Sequence, residues 1–452
     1  MGLSASAALQ LAFVGLMALL LFVAAYRLPQ KVVGTALILL IPFQAVETKY
    51  ASTNVLLTYV LFAAMLMRER IVRLPMLPQI LLVMFAYLIS MSLTHRATYM
   101  MHGLYLFSLV SAFLVFWIAY DLTQRYETLR GIANLLIALN VLVAIYCIVQ
   151  LIVGPGERPA FLGIHELAMM PVRKDYRLTG PFGGAGTISE YLVIMIFMIV
   201  HQMINTRRLA VRWALLGLLV TDLILLVTTG ARGGYVVLVG AGILFLWMFR
   251  SILGPARTIR LALGGGLLVV AAGVFAVTFT DFDRLFQRLE DTQIEAGIPD
   301  TRAVVWPIAW EEIKTRPLFG QGPRLRFPDE ENGATYKGHK FILYPHNLYL
   351  FLLVNIGVTG LIAVLIFLGT PLYRCWKLSS NGLADPYDAS FARISVVIMA
   401  VFFMNQIKIE FLRFALVDYW HFIFALLGIL VGFCDRESHT PTHKGTLIHS
   451  LR

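Results

Sequence analysis

The residues of this chain that could perform chemistry lie between long hydrophobic runs. His346 and Asn347 occur in YPHNLYLFLL, where a polar turn gives way to an apolar segment. An imidazole is well suited to accept and return a proton near neutral pH. At the edge of an apolar segment it is partly desolvated, which favours its neutral, basic form. His346 is therefore a candidate general base; the alternative is a polar residue that merely precedes a helix.

A second candidate is Arg232, in the short connection TTGARGGYVV. The planar fork of a guanidinium matches a pair of phosphate oxygens. The neighbouring glycines, Gly230, Gly233 and Gly234, would let such a group approach the backbone closely. This pattern favours binding of a phosphorylated ligand. The alternative is an arginine whose side chain extends to the lipid headgroups.

Two more arginines lie beside turn-forming sequences. Arg177 precedes the glycine-rich turn of RLTGPFGGAGTISEY, and such a turn at the start of a helix can bind anions through its N–H groups. Arg302 begins TRAVVWPIAWEEIKTRPLFGQGP, which predicts an amphipathic helix followed by tight turns. That helix could lie on a membrane surface and still present Arg302 to a site. Neither segment has the spacing of a nucleotide-binding P-loop.

The elements that must position these residues are predicted to be membrane-spanning helices. The chain has 452 residues, of which 59% are hydrophobic and 14% charged. Soluble proteins are typically about 45–50% apolar and about 25% charged. Thirteen apolar runs approach the roughly 20 residues that a spanning helix needs. These runs lie near 7–26, 32–46, 52–67, 76–93, 99–120, 131–153, 188–205, 213–229, 235–249, 261–280, 347–369, 391–408 and 414–434.

The pattern predicts an all-α, polytopic transmembrane helical bundle with about 12–13 spans. The runs near 32–46 and 52–67 are short, so they are either two tilted spans or one broken, partly re-entrant unit. Four regions follow from this reading: transmembrane helices at 1–280 with a short loop at 154–187, a large helix-containing loop at 281–346, transmembrane helices at 347–434, and a tail at 435–452.

The net charge of +11 indicates orientation, because its basic residues are concentrated in alternate loops. One set of loops, together with the C-terminal tail, carries 19 basic and 7 acidic residues, and the positive-inside rule assigns that set to the cytoplasm. The connections 154–187 and 281–346 are close to neutral and are predicted to face outward. The candidate site would then face outward and the C-terminus would be cytoplasmic. The charge excess gives no support for a nucleic-acid partner.

The segments RLTGPFGGAGTISEYL, TTGARGGYVVL, TRAVVWPIAWEEIKTRPLFGQGP and YPHNLYLFLLVNIGVTGL, in this order, resemble the bacterial O-antigen ligase and Wzy-type polymerase superfamily. The resemblance implies a GT-C-like membrane glycosyltransferase in the bacterial inner membrane, with its active site facing the periplasm. It implies en bloc transfer of an undecaprenyl-diphosphate-linked polysaccharide (O-antigen) to a sugar hydroxyl of lipid A–core, with no cofactor and no metal. Direct displacement at the anomeric carbon would invert its configuration.

The family's residue roles can be carried over by motif. Its diphosphate-binding arginines correspond to Arg232 and Arg302, with Arg177 as a further donor contact, and its essential loop histidine corresponds to His346. Arg284 and Arg288 in the same long loop could take the place of the second arginine. We include Asn347, beside the candidate base, as a substrate contact.

Two other functions stay open at this point. One is a Wzy-type polymerase that joins lipid-linked repeat units of O-antigen or exopolysaccharide. The other is a lipid-linked oligosaccharide transporter, which is less favoured because transporters typically carry internal repeats and polar groups at the membrane midplane. Here the polar candidates gather on one predicted face. The expected partners are the lipid-linked glycan donor, the lipid A–core or glycan acceptor, and membrane lipids.

Overall fold

The computed structural model describes most of the chain. The described residues are 18–43, 53–68, 73–94, 99–154, 177–279, 294–295, 298–299, 302–323, 335–336, 339–340, 345–380, 385–413 and 416–439. Their helices are α1 (Ala18–Arg27), α2 (Gln30–Leu40), α3 (Thr53–Arg68), α4 (Leu77–Ser92), α5 (Tyr99–Arg125), α6 (Leu129–Val153), α7 (Ala185–Asn205), α8 (Leu209–Thr228), α9 (Arg232–Leu253), α10 (Pro255–Phe279), α11 (Arg302–Thr315), α12 (Leu348–Ser380), α13 (Pro386–Asn405) and α14 (Val417–His439).

The helical prediction is confirmed. Each of the thirteen apolar runs contains a described helix, and the fourteenth described helix is α11, from the large loop. Eight of the described helices, α5 to α9 and α12 to α14, are long and apolar enough to cross a membrane. The two short runs contain α2 and α3, of 11 and 16 residues. In the large loop, the two-residue strands β1 (Ile294–Glu295) and β2 (Ile298–Pro299) pair antiparallel, as do β3 (Thr335–Tyr336) and β4 (His339–Lys340).

The final helix, α14, lies at the centre of the bundle and packs most extensively against α5. Its backbone approaches α5 closely at two glycines spaced four residues apart, Gly428 and Gly432. A side chain at Gly428 would overlap the carbonyl oxygen of Phe116, and one at Gly432 would lie 2.8 Å from Cβ of Thr123. This is the small-residue packing typical of membrane helices, which lets van der Waals contacts and hydrogen bonds hold the pair together.

The bundle brings the candidate residues to one end, which we call the site end. Here α6, α8 and α13 finish and α7, α9, α12 and α14 begin. Gln150, in the last turn of α6, donates from Nε2 to Oγ1 of Thr179 at 2.9 Å. The backbone N–H of Leu348 donates to the carbonyl of Gln406 at 2.8 Å, joining the start of α12 to the α13–α14 loop. At the opposite end, Arg374 of α12 pairs with Asp435 of α14 at 2.8 Å.

Helix α12 is interrupted at Gly357, and the gap is filled by the turn that follows α11. Gly357 has φ 66° and ψ −169°, a combination that is essentially restricted to glycine. The carbonyls of Val354 and Asn355 accept from Gln321 and Gly322 at 2.7 and 2.9 Å. Polar backbone groups within a membrane need hydrogen-bond partners from the protein, so these two hydrogen bonds stabilise the interruption of the helix. It also fixes the position of α11 relative to α12.

We expect Gly357→Ala to destabilise the protein by about 2–5 kcal/mol, because a Cβ atom adds strain and would overlap the Leu318 backbone. The matched control is Gly369→Ala, in the same helix, where an added Cβ meets no atom within 4 Å. That change should be neutral or stabilising by up to about 1 kcal/mol. The thermal unfolding midpoints in detergent measure both effects. Equal midpoints for the two variants would show that the break at Gly357 is not required.

Candidate functional site

The turn between α8 and α9 is packed against the segment that begins at Arg177. The backbone N–H of Leu178 donates to the carbonyl of Thr228 at 3.1 Å, and Nε of Arg177 donates to the carbonyl of Thr229 at 3.1 Å. Gly230, with φ 57°, passes directly beside the Arg177 side chain. The structure therefore places Arg177 next to the turn that carries Arg232.

Arg232 is the first residue of α9, and the first turn of this helix packs tightly. A side chain at Gly233 would overlap the aliphatic stem of Lys408, and one at Gly234 would overlap Oγ of Ser189. The half-buried Arg232 side chain makes no hydrogen bond or ion pair with any described residue. The N-terminal end of a helix already carries a partial positive charge. A guanidinium at this position is thus well placed to bind an anion.

Helix α11 crosses the site end and is held at two points. Nη2 of Arg302 donates to the carbonyl of Lys408 at 3.1 Å. Nε1 of Trp306 donates to the carbonyl of Pro345 at 2.8 Å. These two bonds join α11 to the α13–α14 loop and to the residue that precedes His346. The predicted helix after position 301 is thus present, and two of its own side chains anchor it.

His346 lies between α11 and α12 in an unusual backbone conformation. Its φ is 46°, in the left-handed region that few residues other than glycine adopt, although histidine does so more often than most. Nδ1 of His346 is 3.6 Å from Oε1 of Glu410. Desolvation and the positive charges of Arg302 and Arg413 lower the pKa of His346 to about 4. The imidazole is therefore neutral near pH 7, as a general base must be.

Asn347 follows directly and begins α12. Its Oδ1 accepts from the backbone N–H groups of Tyr349 and Leu350, at 2.9 and 3.1 Å. Asparagine is a preferred residue at this capping position because it satisfies N–H groups that have no partner within the helix. The Asn347 side-chain oxygen thus caps α12, and the substrate contact predicted for this residue stays a prediction.

The α13–α14 loop, residues 406–413, supplies three site residues to which sequence reasoning attached no role. Lys408 lies between the first turn of α9 and Arg302, and burial lowers its pKa. Glu410 is almost completely buried, and its burial raises its pKa to about 7. Arg413 lies 3.8 Å from the Glu410 carboxylate. The sequence feature that could have identified these three residues is the cluster of charges in QIKIEFLRF, between two apolar runs.

The three carboxylates within the predicted spans receive side-chain amides as partners. Nε2 of Gln406 donates to Glu190 at 3.0 Å, Nδ2 of Asn140 to Asp222 at 2.7 Å, and Nδ2 of Asn54 to Asp418 at 3.0 Å. At Asp222, the neutral amide satisfies a carboxylate oxygen without bringing a second charge into the bundle.

The site therefore brings together Arg177, Arg232, Arg302 and His346, and adds Lys408, Glu410 and Arg413. Arg284 and Arg288 lie outside the described residues. No group of three His, Cys, Asp or Glu side chains among the described residues could hold a metal ion. What the cluster offers is several positive charges around one neutral imidazole. The positive charges suit an anionic ligand, and the neutral imidazole suits a neighbouring group that loses a proton.

Comparison with known proteins identifies a family over part of the chain. Residues 217–365 match the family model described as O-antigen ligase. The match covers about a third of the chain and includes Arg232, Arg302 and His346, whereas Arg177 and the α13–α14 loop lie outside it. No curated protein matches the chain. The resemblance to the O-antigen ligase and Wzy-type superfamily is thereby confirmed over this segment, in a multi-pass helical membrane protein.

Proposed function

We propose that this membrane protein, which carries an O-antigen ligase family segment, is an inverting glycosyltransferase that needs no metal. It would transfer an undecaprenyl-diphosphate-linked polysaccharide to a sugar hydroxyl of lipid A–core at the periplasmic face of the bacterial inner membrane. The arrangement of charges at the site end supports this proposal, as does the family match. The positive-inside distribution of the loops supports the orientation.

One observation carries the proposal: Arg232 makes no hydrogen bond or ion pair with the described residues, and the next residue, Gly233, packs against Lys408, whose carbonyl accepts from Arg302. Lys408 connects the two arginines, because its stem contacts Gly233 and its carbonyl accepts from Arg302. A half-buried guanidinium is costly to leave without a counter-ion. A lipid diphosphate at the membrane surface supplies both negative charge and paired oxygens.

The reaction that we assign to this arrangement is a single displacement. The acceptor hydroxyl loses its proton to Nε2 of His346 while its oxygen forms a bond to the anomeric carbon of the donor. The bond between that carbon and the phosphate oxygen breaks, and the lipid diphosphate leaves with the electron pair. Arg232 and Arg302 would neutralise the charge that develops on the leaving group, which is where fixed positive charges lower a barrier most. The proton on His346 then passes to solvent.

Donor binding should also make His346 a stronger base. In the absence of donor, the charges of Arg302 and Arg413 help hold the His346 pKa at about 4. A bound diphosphate would offset those charges, and a nearby negative charge favours the protonated imidazolium. The pKa of His346 would therefore rise when donor is present. This coupling would limit base catalysis to the complex that already holds a donor.

The test is a transfer assay with purified protein, a defined lipid-linked polysaccharide and two acceptors: lipid A–core and a second lipid-linked repeat unit. We expect the polysaccharide to appear on lipid A–core as one complete chain, with the anomeric configuration inverted. A product formed only from lipid-linked units would identify a polymerase. Translocation of the donor in liposomes with no transfer to either acceptor would identify a transporter. Either of those results would contradict the proposed ligase.

A further inference from the structure

A buried carboxylate faces the candidate base from a loop that the family match does not reach. The Glu410 side chain is 2% exposed, and its Oε1 is 3.6 Å from Nδ1 of His346. Its Oε2 is buried without a hydrogen-bond partner among the described residues. A buried carboxylate with an unsatisfied oxygen lowers stability unless something compensates for it. Packing alone gives no reason for a glutamate at this position.

Glu410 and His346 are held in one unit by backbone contacts. The N–H of Leu348 donates to the carbonyl of Gln406, which joins the α13–α14 loop to the start of α12. The backbone of Asn347, the residue after His346, faces the Glu410 carboxylate and contributes weakly to lowering its pKa. The carboxylate and the imidazole ring are therefore positioned by the same short segment. A shift of about 0.4 Å would bring Nδ1 and Oε1 into hydrogen-bond range, and such contacts often tighten only when substrate binds.

The positive charges around His346 mean that its protonated form needs a nearby carboxylate to stabilise it. Arg302 and Arg413 both disfavour the imidazolium that must form when the ring takes a proton. Among the described residues, Glu410 is the carboxylate within ion-pairing distance of the ring. A carboxylate hydrogen-bonded to one ring nitrogen selects the tautomer and stabilises the imidazolium, as in other acid–base–histidine arrangements.

We propose that Glu410 is the positioning residue for His346: it accepts a hydrogen bond from Nδ1–H and leaves Nε2 free to take the proton of the acceptor hydroxyl. This inference rests on the proposed function and deepens it. No new bond is made or broken by Glu410. Its carboxylate stays ionised through the displacement, while the proton lost by the acceptor resides on Nε2 of His346.

The pH dependence of the transfer rate follows from the protonation state of Glu410. Burial is the main cause that raises its pKa to about 7, opposed mainly by the charge of Arg413 and, more weakly, by that of Arg302. Arg413 faces Glu410 from its own loop, Arg302 from α11, and His346 from the start of α12. Only the ionised carboxylate can accept from Nδ1–H. The rate of transfer should therefore rise with pH through about 7, a midpoint that belongs to the coupled cluster.

The experiment compares Glu410→Gln with Glu311→Gln in the full-length protein. Glu311 is an exposed α11 residue that pairs with Lys314, so its substitution makes the same chemical change away from the site. We expect Glu410→Gln to lower kcat by roughly 10²-fold, with little change in KM for the donor, and to abolish the rise in rate near pH 7. Glu311→Gln should leave both the rate and the pH profile as in the native protein.

A second readout separates positioning from a structural role. In a His346→Ala background, adding Glu410→Gln should cause no further loss, because Glu410 acts only through the imidazole. Selective ¹⁵N-histidine spectra of the native protein should show a His346 signal protonated at Nδ1, identified by its absence in His346→Ala. This measurement needs no stable Glu410 variant.

Three results would overturn the inference: an unchanged pH profile in Glu410→Gln, additive losses in the double variant, or an Nε2-protonated His346 above pH 7. None of these would affect the proposed function while His346→Ala still abolishes transfer. If instead His346→Ala retains the native rate, the proposed base itself is wrong and the role of Glu410 fails with it. The two failures are therefore distinguishable.

Discussion

Replacing His346 by alanine is expected to slow glycan transfer by roughly 10²–10⁴-fold, the range typical of a lost general base. A sugar hydroxyl is a poor nucleophile until its proton is removed, and the neutral His346 ring is the base available at this site. The rate constant for single-turnover transfer from pre-bound donor measures the effect on the chemical step. Donor affinity should change little, because the imidazole is uncharged when donor binds.

The backbone at His346 calls for a second variant. Alanine at φ 46° is strained, so a loss of activity in His346→Ala could arise from a distorted turn. Asparagine tolerates the left-handed region better and has no basic nitrogen, which makes His346→Asn the matched control for the turn. Both variants should be equally inactive, with His346→Asn retaining the native unfolding temperature. Substantial transfer by a stable His346→Asn protein would exclude His346 as the base.

Removing either arginine is expected to weaken donor binding by about 10–100-fold, which corresponds to roughly 1.5–3 kcal/mol for hydrogen bonds to a charged group. Arg232→Lys and Arg302→Lys keep the charge but lose the fork, so we expect them to recover only part of the affinity. Binding of an undecaprenyl-diphosphate-linked glycan to the purified protein measures these changes. Arg257→Ala, an exposed residue at the start of α10, serves as the charge-matched control and should bind normally.

The two arginines should differ in their effect on stability. Arg232 makes no hydrogen bond or ion pair with the described residues, so its removal should leave the unfolding temperature unchanged or raise it. Arg302 donates to the Lys408 carbonyl, and its removal should lower the unfolding temperature slightly as well as weaken binding. Native donor affinity in both lysine variants would contradict bidentate recognition of the diphosphate. Equal losses in Arg257→Ala would show that only net charge matters.

The sequence alone was sufficient to predict the helices and the residues that could perform chemistry. Hydropathy depends only on neighbouring residues, so every apolar run could be identified from the sequence, and each one contains a described helix. The helix after position 301 and the turns that follow it could also be predicted from the sequence. Proline and glycine determine the backbone conformation of only a few neighbouring residues, so their effect can be inferred locally. His346, Arg232 and Arg302 were identified from residue type and immediate surroundings for the same reason.

Only the tertiary structure decided which residues meet. Glu410 lies 64 positions after His346, and no local pattern links them; their contact depends on how α12, α13 and α14 pack. The bond from Arg302 to the Lys408 carbonyl and the insertion of the α11 turn into the break at Gly357 have the same origin. In a bundle of apolar helices, the hydrophobic pattern specifies that each helix is buried in membrane or protein, but not which neighbour it touches. That choice is made by close packing and by the need to satisfy each buried polar group, and it placed the carboxylate beside the base.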